Sequence, residues 1–89
     1  MISKSIVVKG KVQGVFFRAS AKRIAENLNI HGWVKNNSAG EVEIMVTGEE
    51  SNIQEFILWC KKGPDKSDVK DVIVSDSNEI HMNNFIIIH

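Results

Sequence analysis

Apolar positions recur in two rhythms along this chain. In the first segment, Ser5 to Val12, Ile6, Val8 and Val12 share one parity, while Lys9, Lys11 and Gln13 take the other; only Val7 is out of step. A period of two with one apolar side marks a strand buried on one face and wet on the other. From Phe17 the period lengthens: Phe17, Ala21, Ile24, Ala25 and Leu28 recur at helical spacing, with Lys22, Arg23, Glu26 and Asn27 pointing away. This predicts an amphipathic helix that starts at or just after Arg18 and ends near Asn29 to His31. Gly32-Trp33-Val34-Lys35-Asn36 reads as a second strand and Asn37-Ser38-Ala39-Gly40 as a hairpin loop. Glu41 to Thr47 alternates again, with Val42, Ile44 and Val46 inward. A second helix is expected after Gly48, with Ser51 and Gln54 as a capping box and Ile53, Phe56, Ile57 and Cys60 as its buried stripe. Gly63-Pro64 stops it. Val69, Val72 and Val74 mark a fourth strand, and Phe85 to Ile88 a short one at the sheet edge.

The order is βαββαβ with an extra strand. Each strand has one apolar face, so both helices must cover the same face of a mainly antiparallel sheet. The expected fold is therefore α+β, a ferredoxin-like sandwich with an additional C-terminal edge strand, in one domain over residues 1–89. In this topology the first and second strands run parallel, so Arg18 and Asn36 both lie at the top of the sheet. Asn36 shares the parity of Val34, on the helix-covered side where Arg18 begins its helix.

Composition narrows the class. The 89 residues can bury one core without disulfides or metals. Eleven basic side chains balance eleven acidic ones, which argues against a sequence-independent nucleic-acid binder. Cys60 is the only cysteine, so no intramolecular disulfide is available. Apolar runs are too short for a membrane span, and Met1 leads into a strand-like segment rather than a secretion signal. A cytoplasmic, monomeric domain without membrane partners is expected.

The stretch Gly10-Lys11-Val12-Gln13-Gly14-Val15-Phe16-Phe17-Arg18 carries the candidate chemistry. A proline-free loop between strand and helix keeps an N–H at every position. Feeding a helix N-terminus, such a loop suits an oxyanion. Gly14 can take a positive φ, and Arg18 offers a planar fork that matches two phosphate oxygens. The same residues also fit a plain strand-to-helix turn with a solvated arginine; the convergence of Arg18 with Asn36 is what favours a site.

Gly10-x-Val12-Gln13-Gly14-Val15-x-Phe17-Arg18, then Gly32-Trp33-Val34-Lys35-Asn36 and Gly40-x-Val42-Glu43, resembles the acylphosphatase family, and the likeness covers essentially the whole chain. The resemblance implies hydrolysis of an acyl phosphate to a carboxylate and inorganic phosphate. With a guanidinium and main-chain donors but no cluster of acidic or histidine ligands, the site is expected to need no metal or other cofactor, and phosphate to inhibit by occupying the same cradle. The resemblance assigns Arg18 to phosphate binding and Asn36 to positioning the attacking water. Gln13, Gly14, Val15, Phe16, Phe17 and Arg18 form the phosphate loop, with the amides of Val15 to Arg18 cradling the phosphoryl oxygens. The chain departs from the commonest pattern at Ala39, where aspartate is usual, and at Lys35, where arginine is frequent. Which acyl group is carried is left unspecified.

Other features take simpler readings. His31, His81 and His89 are scattered, without metal-ligand spacing, and read as surface histidines. Cys60 reads as core, Trp33 and Trp59 as packing, and Lys61-Lys62 as complements to a helix dipole. An RNA-recognition module shares the strand order but stacks bases on open-face aromatics. The open-face positions of the first and third strands are Lys9, Lys11, Gln13, Glu43, Met45 and Thr47, and no aromatic is expected there.

Overall fold

The computed structural model describes residues 1–89. The elements are β1 (Ile2–Lys11), α1 (Phe17–Asn27), β2 (His31–Asn36), β3 (Val42–Gly48), α2 (Glu50–Lys62), β4 (Asp68–Asp76) and β5 (Phe85–Ile88). They form one sheet in the order β4-β1-β3-β2-β5. All pairs are antiparallel except β2–β5, which is parallel. The architecture is the ferredoxin-like sandwich, with β5 as the extra edge strand.

The core lies between sheet and helices. Ile6 and Val8 of β1, Val34 of β2 and the alternating Val42, Ile44 and Val46 of β3 meet Ala21 and Ala25 of α1 and Ile53, Phe56 and Cys60 of α2. Burial pushes the Cys60 thiol pKa far above its ordinary value, so it packs as a small apolar group. A chain of aromatic contacts joins the layers: Phe17 to Trp59 at 5.1 Å between ring centroids, Trp59 to Phe56 at 5.9 Å, and Phe56 to Phe85 at 6.2 Å. Phe17 thereby locks the first residue of α1 onto α2 and onto the strand at the far edge.

Val69 and Val72 have opposite parity, yet both pack against the core. A bulge explains this: the β1–β4 register runs Lys9 to Asp71 and then Gly10 to Val69, skipping Lys70. Gly10 sits across the bulge at φ 121°, where a Cβ would lie 2.2 Å from the Asp68 carbonyl oxygen. Only glycine fits that approach.

Four local expectations need correction. Helix α1 starts at Phe17 and ends at Asn27, two to four residues before its expected end. Asn29 takes φ 55°, and the amides of Asn29 and Ile30 donate to Glu26 O (3.2 Å) and Ala25 O (2.9 Å). This left-handed C-terminal cap turns the chain into β2. The Ser51–Gln54 capping box does not form. Extended Glu49 (φ −68°, ψ 142°) is the N-cap, without a side-chain cap bond, and its carbonyl accepts from Ile53 N–H at 3.0 Å. Ser51 is already the second helical residue, too late to cap. The strands are also longer than their cores of alternation: β1 begins at Ile2, and β2 takes in His31.

The fourth correction concerns the open face. Met45 and Thr47 are buried, and an aromatic, Trp33, does stand on that side. The segment between β4 and β5 accounts for both. His81 N–H donates to Thr47 Oγ1 (3.2 Å), and Thr47 Oγ1 also bonds Ser3 Oγ at 2.7 Å. Trp33 Nε1 donates to Glu79 Oε2 (2.8 Å), and the Lys35 ammonium lies 5.2 Å from the Trp33 ring centroid. The Trp33 bond, with His81 as a second partner, lowers the Glu79 pKa below its ordinary value. Trp33 is engaged by its own chain rather than offered as a stacking platform. No helix is long and apolar enough to cross a membrane.

Candidate active site

Strand β1 ends at Lys11, and five residues lead to α1. Gly14 (φ 73°) and Phe16 (φ 63°, ψ 25°) both adopt left-handed conformations around Val15. Turn conformations of this kind can curl successive N–H groups towards one side, a concavity that suits an anion. At Gly14 a Cβ would meet nothing within 4 Å, so the positive φ, rather than space, calls for glycine. Phe16 is the surprise. The left-handed region costs an L-residue about 1–2 kcal/mol, and Phe16 is also the N-cap of α1, where it forms no side-chain cap bond.

The amides here are uncommitted. Of the stretch from Gly14 to Ser20, the loop and cap hydrogen bonds include only Ser20 N–H, donating to Phe16 O at 3.0 Å. The first helical amides have no acceptor one turn back. No acidic side chain stands in the first turn to neutralise the dipole, which instead carries the cationic Arg18.

These residues open onto a cleft of about 290 Å³ lined by Val12, Gly14, Phe16, Phe17, Arg18, Ala19, Asn36, Ile87 and His89. Arg18 is half-buried and takes part in none of the ion pairs, whose cations are Lys4, Lys9, Lys22, Lys35, Lys70 and His81. Arg18 and Asn36, eighteen positions apart, thus share one wall-to-wall space, as the strand topology requires.

Gln13 and Val15 are placed differently. Val15 is buried in the core cluster. The Gln13 carboxamide donates to Asn37 O and Glu41 O, both at 2.9 Å, pinning the loop to the β2–β3 hairpin. That hairpin is organised by Asn37. Its Oδ1 accepts from Ala39 N–H (3.0 Å) and Glu41 N–H (2.9 Å), and its Nδ2 donates to Glu41 Oε1 (3.1 Å) and Glu43 Oε2 (2.9 Å). With this asparagine turn in place, the hairpin closes with alanine at position 39. The Asn37 bond, with help from Lys9, lowers the Glu41 pKa below its ordinary value. Asn37 is fully used within the fold, whereas its neighbour Asn36 faces the cleft.

Sequence reasoning missed Ile87 and His89. The parallel β2–β5 register pairs Val34 with Ile87 and Lys35 with Ile88, so residue 89 falls beside Asn36. Assigning β5 as the parallel neighbour of β2 was the signal that would have found both. No group of three or more His, Cys, Asp or Glu side chains is arranged to hold a metal ion.

Comparison with known proteins bears on the family. The acylphosphatase family profile matches residues 4–87. An acylphosphatase of Legionella pneumophila (strain Corby) is 51% identical over 57 residues, 64% of this chain and 63% of that protein, so the match spans less than two-thirds of its length. An acylphosphatase of Azoarcus sp. (strain BH72) is 38% identical over 77 residues, 86% of this chain and 79% of that one. The crystal structure of acylphosphatase from Bacillus subtilis superposes with a TM-score of 0.94 at 37% identity, covering 100% of both chains. With the profile spanning nearly every residue, the chain belongs to the acylphosphatase family.

Proposed function

We propose that this protein hydrolyses acyl phosphates to a carboxylate and inorganic phosphate. The observation that carries the reading is a helix N-terminus with free amides, no acidic neighbour and an unpaired arginine, opening onto the cleft that also holds Asn36.

The phosphoryl group sits against the amides of Val15, Phe16, Phe17 and Arg18, with the Arg18 guanidinium spanning two of its oxygens. These donors are fixed before the substrate arrives, so little reorganisation opposes the build-up of charge on the equatorial oxygens. Asn36 holds a water in line with the bond to be broken. As the water oxygen bonds to phosphorus, the P–O bond to the acyl group breaks and its electron pair leaves on the carboxylate oxygen. That carboxylate has a conjugate acid of pKa about 4, by analogy with Asp and Glu, so it leaves without a proton donor. The proton released by the water passes to solvent or phosphate. Arg18 and the amides supply the charge stabilisation that a metal ion provides elsewhere, and the reaction needs no cofactor. Gln13 contributes by bracing the loop against the hairpin that follows Asn36, not by touching phosphate.

The test is turnover of benzoyl phosphate beside a phosphate monoester, with and without excess chelator. Rapid hydrolysis of the first alone, insensitive to chelator and inhibited competitively by inorganic phosphate, is expected. Phosphate binding without turnover of benzoyl phosphate would identify a binding module instead.

A further inference from the structure

Phe16 violates three local preferences at once. It is left-handed where glycine or asparagine is comfortable, it occupies an N-cap without capping, and at 80% exposure it is the most exposed large apolar side chain in the chain. Residues that break local rules without a packing reward are expected where function requires them. Phe16 has no packing reward: its ring takes part in none of the aromatic contacts that hold Phe17, Phe56, Phe85 and Trp59. What the left-handed backbone does achieve is to put Phe17 into the core and leave the ring of Phe16 on the cleft.

The cleft is chemically divided. Arg18, Asn36 and His89 make its polar side. Val12 and Phe17 line it too, but both are buried almost completely, so the apolar surface open to a ligand comes from Phe16, Ala19 and Ile87. Ile87 is partly buried, with its backbone fixed beside Val34 by the β2–β5 register. A volume of about 290 Å³ corresponds to roughly ten water molecules at about 30 Å³ each, more than a phosphoryl group alone displaces.

We propose that Phe16, with Ile87, forms an apolar shelf that binds the acyl end of the substrate, making this enzyme selective for acyl phosphates with an aromatic or extended apolar acyl group over acetyl phosphate. The inference rests on the activity proposed above. Phe16 acts through its ring, whereas its amide belongs to the phosphate cradle, so the two roles separate on substitution.

The experiment measures binding of benzoylphosphonate and acetylphosphonate, non-hydrolysable mimics that differ only in the acyl group, and turnover of the two corresponding acyl phosphates. The variants are Phe16→Asn, which suits the left-handed backbone, and Phe16→Tyr, which keeps the ring. The parent should favour the phenyl compound by about ten-fold, the lower end of what a small difference in apolar contact supplies. Phe16→Asn should bring the preference close to unity, in Kd and in KM, and Phe16→Tyr should keep it. A merely structural role for Phe16 would weaken both compounds in parallel and leave their ratio unmoved, which overturns the shelf. A parent that binds both equally overturns it as well. Ring-dependent phosphonate preference without turnover of either acyl phosphate would uphold the shelf and sink the hydrolase reading, so the two failures are distinct.

Discussion

The two helices begin in opposite ways. Helix α2 follows the ordinary pattern: an extended N-cap residue, Glu49, and an acidic side chain, Glu50, in the first turn. Its dipole is answered by its own sequence. Helix α1 begins from a left-handed phenylalanine, has no acid in its first turn and adds a cation at its second position. Its positive end is answered by nothing in the chain. Both lie on one face of one sheet and both are amphipathic, so packing does not explain the difference. What separates them is that α1 opens onto the cleft and α2 does not. An uncompensated dipole end costs stability of about 0.3–1 kcal/mol, and under the proposed mechanism the same deficit favours an anion.

The sharpest way to break this contrast is to remove the cation. Arg18→Ala should lower kcat/KM for an aromatic acyl phosphate by about a thousand-fold or more, the range seen when an arginine leaves a phosphoryl-transfer site. Arg18→Lys should recover little, because a point charge replaces a bidentate fork. Inorganic phosphate should raise the parent's melting temperature, and that rise should vanish in Arg18→Ala while the circular dichroism spectrum stays native. An Arg18→Ala variant with normal turnover and phosphate inhibition would place the pocket elsewhere.

Asn36 should lose less, and in a different parameter. Its interaction with the attacking water matters as the bond to phosphorus forms and contributes little to ground-state phosphate. Asn36→Ala should therefore lower kcat roughly a hundred-fold while the phosphate inhibition constant stays within a few-fold. A folded variant near the parental rate would refute the water-positioning role.

Making α1 resemble α2 tests the comparison directly. Ala19 is exposed, sits at the third helical position and lines the cleft. Ala19→Glu places an acid where α2 has one near its start. It should raise stability by a few tenths of a kcal/mol through the dipole, measured by urea denaturation. It should also weaken phosphate inhibition and kcat/KM about ten-fold, since a like charge then faces the phosphoryl group. A stability gain with no loss of activity would mean that the helix end is not where the phosphate sits.

Much of this was legible from periodicity. The α1 stripe, the alternation of Val42, Ile44 and Val46, and the Gly63-Pro64 stop are patterns that report burial or chain reversal directly, and topology alone brought Arg18 and Asn36 to one end. What escaped was set by segments without a period. Thr47 and Trp33 are bonded to the segment Ser77 to His81, which alternates in nothing and is held by individual hydrogen bonds. The left-handed Phe16 was hidden because local propensity argues against it. The Val69 and Val72 parity made sense only once the bulge opposite Gly10 was known.

The hairpin beside Asn36 gives a pH-dependent test. Hydrogen bonding from Asn37, then Lys9, lowers the Glu41 pKa from its ordinary 4.5. A lowered folded pKa stabilises the fold above the unfolded value and is lost as pH falls through the folded one. The parent should therefore be more stable than Glu41→Gln near neutral pH, and the difference in urea midpoints should narrow as pH falls below 4.5. The side chain is only partly buried, so the effect is modest. A constant difference across that range would mean that the lost packing, not the charge, is what the substitution removes.

The smallest effect expected belongs to the ordinary helix. Read from spacing alone, Ser51 caps α2, and its removal should then cost about 1 kcal/mol, the usual loss for an N-cap serine. In the structure Ser51 is an exposed residue inside the first turn, and the cap position belongs to Glu49. No capping bond is there to lose, and alanine is the better helix former by no more than about 0.5 kcal/mol. Ser51→Ala should thus leave the urea midpoint unchanged or move it slightly upward, with acyl phosphate turnover unaffected. A fall of about 1 kcal/mol would restore the capping box and shift the start of α2. It would also weaken the claim that α2 answers its own dipole with Glu50, leaving the contrast with α1 to rest on Arg18 and the free amides alone.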